Sequence, residues 1–509
     1  MTYQNNILDY LEHVANVLPN KIAVQDEKQS LTFALLKAQS ERIGTALCLQ
    51  FSCVRRPVIV LCDRELMAYS AFLGVVQSGN FYVPLEAKMP ILRLTGILEQ
   101  LKPIAILYLR KYQSTAALFE QEVTILCIED LVEKNFADNA MLKQRKETAL
   151  DIDPVYMIFT SGSTGKPKGI VVSHRNLIDF TEWISESCAL SEADVLANQA
   201  PFYFDTSVKN LYPGLKCGAT VHILPKKFFS FPLLLTNYLN EHKITVIFWS
   251  TSAFHMVANS GVFEKEQPQY LRLVAVGGET LYAKQLRAWK QAVPNAVYYN
   301  HYGPTETTVD CIAYRIDKDF DDHEAIPIGK ACNNMEVFIL DAQGRPVPCG
   351  QTGEIYIRGI GISCGYYGDW EHTERSFVQN PNNPYYPDLV YRTGDLGYSD
   401  SEGNIYFVSR SDYQIKHLGY RIELGDIEMA IHGISDVKEA VCLFDESADR
   451  IVCIYEGNID EKQLIKELQF RLSKYMLPNR THKVEKLPHN ANGKLDRGRL
   501  MEDYIYGSC

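Results

Sequence analysis

Short apolar runs alternate with longer helical patterns through the first three-quarters of the chain. The run PVIVLC (57–62) precedes RELMAYSAFLGVVQSG (64–79), and VYMIF (155–159) precedes a Gly- and Ser-rich turn. The runs IAILYL (104–109), VTILCI (123–128), ITVIF (244–248) and RLVAV (272–276) read as further buried strands. Val- and Ile-rich runs set between helices predict α/β layers, with parallel strands covered on both faces. From about Met335 the texture changes. EVFILD, GEIYIRG and GNIYFVSR are short strands separated by Gly-containing turns, which predicts a β-rich subdomain over about 335–410. After Arg410 come a helical pattern (DIEMAIHGI), two strands (AVCLF and IVCIYEG) and a helix over EKQLIKELQFRLSKYM. The expected organisation is a large core over 1–410 and a small α+β domain over 411–509, with the polar segment SRSDYQ (409–414) as the hinge.

Composition narrows the field. The chain has 509 residues, 46% hydrophobic and 22% charged, enough for two or more cores in the globular soluble range. Lys and Arg number 51 against 62 Asp and Glu, a formal net charge of -11, which gives no support to nucleic-acid or anionic-membrane binding. The 13 Cys are scattered, odd in number and never spaced C-x-x-C, so neither a disulfide framework nor a structural zinc site is expected. The N-terminus reads as an amphipathic helix, not a signal peptide, and no stretch approaches the roughly 20 apolar residues of a membrane span. A cytoplasmic location is expected.

Four stretches carry candidate chemistry. FTSGSTGKPKG (159–169) follows a strand, is rich in glycine and hydroxyls, and holds Lys166 and Lys168. Such a loop brings backbone N–H groups close to an anion, which predicts phosphate binding. It is not a Walker A motif, because Gly162 and Gly165 are too close and Pro167 follows Lys166. In YYNHYGPTETT (298–308), Tyr302 suits stacking on a base, Thr305 a phosphate, and Glu306 a hard cation such as Mg²⁺. In YRTGDLGYSDSEGNIYFVSRSDYQIKHLGYRIELGDIE (391–428), Asp395 is a carboxylate suited to two ribose hydroxyls, and Arg410 ends a strand. In NANGKLDRGRL (490–500), Lys494 follows an Asn-Gly turn. Taken singly, each also has a structural reading: a surface loop, a capped turn, a turn aspartate with a surface arginine, and a solvated lysine.

In this order, with LTFALLKAQ (31–39), VVQSGNFYVPLEAKMP (75–90), FYFDTS (202–207), GEIYIRGIGISCGYYG (353–368) and KYMLP, the stretches resemble the acyl-adenylate-forming superfamily over nearly the whole chain. The resemblance is to its amino-acid adenylation branch, of the nonribosomal peptide synthetase type and including stand-alone members. It implies a ligase that joins a carboxylate to ATP, releases pyrophosphate, and passes the acyl group from AMP to a thiol. Carried onto matching positions, it implies that Thr160, Ser161, Gly162, Ser163, Thr164, Gly165 and Lys168 hold the β and γ phosphates. It implies Thr305 on the α phosphate, Glu306 on Mg²⁺ and Tyr302 on adenine, with Asn300, Gly277 and Gly278 at the adenine edge. Asp395 and Arg410 would take the ribose, and Lys494 would bridge carboxylate and α phosphate. Asp412 would be the hinge about which the small domain turns, bringing Lys416 and Gly419 to a phosphopantetheine passage.

Asp205, in FDTS, matches the aspartate that pairs with a substrate α-ammonium, so an amino acid is the expected acid. Thr206, Lys209, Phe248, Ala275, Gly277, His301, Val309 and Asp310 would line the rest of its pocket. Lys209 has three possible arrangements: paired with a substrate carboxylate, paired with Asp310, or turned outward. A polar or acidic amino acid is favoured. The acceptor is expected to be the phosphopantetheine of a separate carrier protein. An acyl-CoA synthetase is the nearest alternative, which Asp205 disfavours; a noncatalytic nucleotide-binding protein is the alternative of another class.

Overall fold

A computed structural model describes residues 4–160, 167–410, 414–488 and 495–507. Of the predicted site residues, Ser161, Gly162, Ser163, Thr164, Gly165, Asp412 and Lys494 lie outside the described residues. The chain divides into two compact units. The larger holds residues 1–87, 102–158 and 169–411, and the smaller holds 88–101, 159–168 and 412–509.

The larger unit is mixed α/β and supplies nearly all of three sheets. The first has nine strands, in the spatial order Lys330–Ala331, Ile312–Arg315, Val297–Tyr302, Leu273–Gly277, Val246–Ser250, Val195–Asn198, Thr220–Ile223, Ile22–Gln25 and Ser30–Thr32. Its central strands are parallel, and antiparallel pairs occur only toward the two edges. The second has six, in the order Thr124–Cys127, Ala105–Tyr108, Pro57–Cys62, Phe81–Glu86, Pro154–Thr160 and Lys168–Ser173. Every residue of Pro57–Cys62 is buried, as a run without alternation requires. The third is antiparallel and five-stranded, joining Met335–Leu340, Gly353–Gly359, Phe377–Gln379, Leu389–Ser399 and Ile405–Arg410. It lies where the Gly-punctuated strands were expected.

Strand periodicity sorts the nine-stranded sheet into two faces. Ile247, Trp249, Val274, Val276 and Tyr298 enter a core shared with Phe254, Leu286 and Trp289 of the covering helices. The intervening residues Phe248, Ala275, Gly277 and His301 therefore share the opposite face.

The smaller unit packs the helices Leu424–His432 and Glu461–Gln469 on the three-stranded sheet Val437–Asp445, Arg450–Gly457 and Arg480–Val484, with the hairpin Gln414–His417 and Tyr420–Glu423 beside them. The helix expected to run to Met476 ends at Gln469, and a separate 3-10 turn covers Lys474–Met476. The break leaves Phe470 exposed while Leu472 and Met476 both enter the core. Arg497 donates to both carboxylate oxygens of Glu428, at 2.7 and 2.8 Å, tying the C-terminal segment to the helix Leu424–His432.

Candidate active site

Two chain segments meet at the site. One begins with the 3-10 turn Asp205–Ser207 and runs into the helix Val208–Cys217, which Gly218 closes in the left-handed conformation. Tyr212 seats this helix by a 2.7 Å hydroxyl contact with Tyr82, and Tyr69 donates to the Leu211 carbonyl. The other segment is the end of strand Val297–Tyr302 and the loop after it, to Asp310.

That loop folds back tightly. Cys311 N–H donates to the Tyr302 carbonyl at 2.9 Å, and Asp310 N–H to the Thr308 carbonyl at 3.0 Å. A Cβ on Gly303 would sit 2.4 Å from the Val309 carbonyl oxygen and 2.5 Å from Asp310 Cα, so only glycine permits the approach. Thr308 and Val309 both have positive φ, 56° and 73°. For β-branched residues that is a strained conformation, costing of order 1–3 kcal/mol each. Thr308 is held by donating to the Gly361 carbonyl at 2.7 Å.

Two contacts join the segments. The Thr305 hydroxyl donates to Asp205 Oδ2 at 2.6 Å. Four residues further along the helix, Lys209 Nζ lies 2.8 Å from Asp310 Oδ2. Asp205 and Thr206 are half-buried, whereas Lys209 and Asp310 are buried. The open arrangement of Lys209 is thus resolved in favour of Asp310. Burial works to raise the Asp310 carboxyl, but the ammonium and the His301 ring beside it prevail and hold it below the usual carboxylate range.

His301 Nδ1 is 3.2 Å from the same Asp310 oxygen. Its ring lies 5.6 Å from Trp183, 5.6 Å from Tyr299 and 6.5 Å from Phe248, centroid to centroid. Burial dominates its pKa and lowers it, leaving the imidazole neutral at pH 7. Val309 is buried, and Ala275 lies between Phe248 and Tyr299 in the sheet register.

On the opposite strand face, Tyr302 donates its hydroxyl to Asp395 Oδ2, and Arg410 meets Asp395 Oδ1 at 2.6 Å. Asp395 and Arg410 are direct cross-strand partners, which makes that pairing a product of register. Thr393 steadies the strand beside Asp395: its hydroxyl donates to the Ile355 carbonyl and accepts from Asp395 N–H. Asn300 commits its amide N–H to the Pro327 carbonyl at 2.9 Å. Gly277 ends its strand and Gly278 follows it. A Cβ on Gly277 would meet the His301 carbonyl oxygen at 2.6 Å, while Gly278, at φ +102°, faces open space.

Glu306 is fully buried, and its Oε1 accepts from the Tyr366 hydroxyl at 2.8 Å. Among the described residues no group of three or more His, Cys, Asp or Glu side chains is arranged to hold a metal ion. One buried carboxylate fits a Mg²⁺ that arrives on a nucleotide, since that ion keeps phosphate and water ligands and needs only one or two carboxylates. Thr160 and Lys168 flank the phosphate-loop stretch as a strand end and a strand start. Lys416, in the smaller unit, pairs across its hairpin with Arg421, and Gly419 has φ +81°. Of the other site neighbours, Tyr299, Tyr366 and Thr393 lie inside the quoted stretches but are given no role there, and Trp183 lies outside all of them.

The chain belongs to the AMP-binding enzyme family, whose model matches residues 11–367. It is 31% identical over 509 residues to D-alanine--D-alanyl carrier protein ligase of Bacillus licheniformis, covering 98% of this chain and 99% of that protein. It is 34% identical over 511 residues to surfactin synthase subunit 1 of Bacillus subtilis, covering 97% of this chain and 14% of that subunit. In fold it is similar to an artificially fused adenylation–PCP di-domain NRPS from Klebsiella oxytoca, with TM-score 0.81, 21% identity and 94% of each chain covered.

Proposed function

We propose that the protein activates an amino acid as its aminoacyl-adenylate and transfers it to the phosphopantetheine thiol of a carrier protein. A carboxylate oxygen of the amino acid attacks the α phosphorus of ATP, and the bond to pyrophosphate breaks. The carrier thiol then attacks the acyl carbon and AMP leaves. The first step brings an anion to a polyanion, so its barrier is electrostatic, and preorganised donors and cations lower it.

In this reading Thr305 contacts the α phosphate, and Asp395 with Arg410 holds the ribose against Tyr302. Gly277, Gly278 and Asn300 border the adenine. Thr160, Lys168 and the residues between them take the outer phosphates, Glu306 takes Mg²⁺, and Lys494 bridges the two reacting oxyanions. Asp205 receives the α-ammonium, with Thr206, Lys209, Phe248, Ala275, His301, Val309 and Asp310 around the side chain. Asp412 is the hinge of the second step, and Lys416 serves the pantetheine passage. The observation that carries the reading is the 2.6 Å bond from Thr305 to Asp205: a phosphate-motif hydroxyl and the acid expected to take an amine are immediate neighbours.

Amino-acid-dependent exchange of pyrophosphate into ATP tests it. Lys494→Ala should lose that exchange, by several kcal/mol on the scale of one lost oxyanion donor at roughly 3. It should still load a carrier protein from supplied aminoacyl-adenylate. Exchange with no amino acid, or equal loss of both steps, contradicts the reading.

A further inference from the structure

The Lys209, His301 and Asp310 cluster is balanced in charge and deficient in hydrogen bonds. The side chains of Lys209 and Asp310 are 6% and 3% exposed and that of His301 1%, so water screens none of them. The ammonium and carboxylate neutralise each other at 2.8 Å, and removing either would strand a buried charge. The 3.2 Å approach of His301 Nδ1 to Asp310 is misaligned for a full hydrogen bond, and Nε2 has no hydrogen-bond partner among the described residues. A buried polar atom without a partner is costly, and a ligand group able to hydrogen-bond it would relieve that cost. His301 shares its strand face with Phe248, Ala275 and Gly277, and the ion pair stands one helical turn beyond Asp205 on the segment that Thr305 also grips.

We propose that the enzyme selects an amino acid with an uncharged, hydrogen-bonding side chain, a hydroxyl or a carboxamide. His301 recognises that group, and the Lys209–Asp310 pair forms a neutral floor that rejects charged side chains. The proposal rests on the amino-acid reading above. An acidic side chain competes with Asp310 for Lys209 and leaves one carboxylate buried and unpaired. A basic one competes with Lys209 for Asp310. An apolar one leaves His301 Nε2 without a partner. The spacing from Asp205 to Lys209, about one turn or roughly 5–6 Å, suits a short side chain.

The test is pyrophosphate exchange across the common amino acids with the full-length enzyme. Ser, Thr, Asn or Gln should give the highest rate, at least about ten-fold above Asp, Glu, Lys, Val and Leu, because a site built to hydrogen-bond rejects analogues that leave it unpaired. Asp310→Asn frees the Lys209 charge and should raise Asp or Glu exchange relative to Asn or Gln by about ten-fold. His301→Phe keeps a ring in place and should bring the ratio of Thr to Val exchange close to one. The wild-type panel stands even if a variant misfolds. A wild-type maximum with an acidic, basic or apolar amino acid overturns the proposal alone. Exchange with no amino acid removes the amino-acid reading, and the proposal with it.

Discussion

Tyr302 shows how much one side chain can be asked to do. Its ring is expected to face adenine, and its hydroxyl is held by Asp395, a buried carboxylate that also meets Arg410. Burial, followed by the Asp395 charge, pushes the phenol well above its ordinary pKa, so it remains a donor. Tyr302→Phe deletes that donor and leaves Asp395 one bond short. The expected cost is about 1–2 kcal/mol, read as a roughly 5- to 30-fold rise in KM for ATP with KM for the amino acid nearly unchanged. An unchanged KM for ATP would count against Asp395 as the ribose acid. At this scale the sequence is a good guide to letters and a poor one to partners. Asp205, Thr305 and Asp395 stand out in their motifs, but the Thr305–Asp205 bond spans 100 residues and the Tyr366–Glu306 bond spans 60, and nothing periodic connects either pair. Lys209 could not be assigned because its placement depends on burial against Asp310, a tertiary fact.

Among the elements, strand alternation carries the most information. The runs 244–248 and 272–276 were visible as apolar tracts, and their parallel register decides that Phe248, Ala275, Gly277 and His301 share a face. Val195–Asn198 and Thr220–Ile223, four residues each with Asn198, Thr220 and His222 among them, show no apolar run to read, unlike the equally short Ala105–Tyr108. Helix propensity favours one helix over all of 461–476, but the helix stops at Gln469, where packing of Leu472 and Met476 breaks it. The loop 303–310 had a recognisable Gly-Pro turn, but its left-handed Thr308 and Val309 run against residue preference, so no propensity argument predicts them. Gly303→Ala tests whether this fold-back is required. Its Cβ would fall on backbone atoms that cannot yield cheaply, so thermal stability should drop and amino-acid-dependent exchange should be lost together. Full exchange activity with an unshifted Tm would show that the loop has another way to close.

Over the whole molecule, the layered parallel sheets, the β-rich addition and the smaller α+β part were all legible, because buried strands, Gly-punctuated strands and helix patterns differ in texture. Among the described residues no helix is long and apolar enough to cross a membrane. Global stability carries a pH dependence that the sequence did not disclose. Burial lowers His174 and His255 to about 4 and His222 to about 3, from an ordinary 6.5. His174 Nδ1 accepts the Ile7 N–H, a role open only to the neutral ring. Below 6.5 the unfolded chain takes up protons that the folded chain refuses, so stability falls with pH and keeps falling until the folded values are reached. Denaturant midpoints taken at about pH 7.5, 6 and 5 should therefore decrease in that order, and His174→Gln should flatten the trend. A midpoint constant across that range would mean that these imidazoles are not excluded from water.

The pairing of Lys209 with Asp310 also bears on how such an enzyme can diverge. A lineage that exchanges one partner first passes through a protein with an orphaned ion, less stable and misdirected in specificity. The two positions should therefore change in step among descendants of this chain, and a designer seeking a new substrate would do better to replace them as a pair than to test them one at a time.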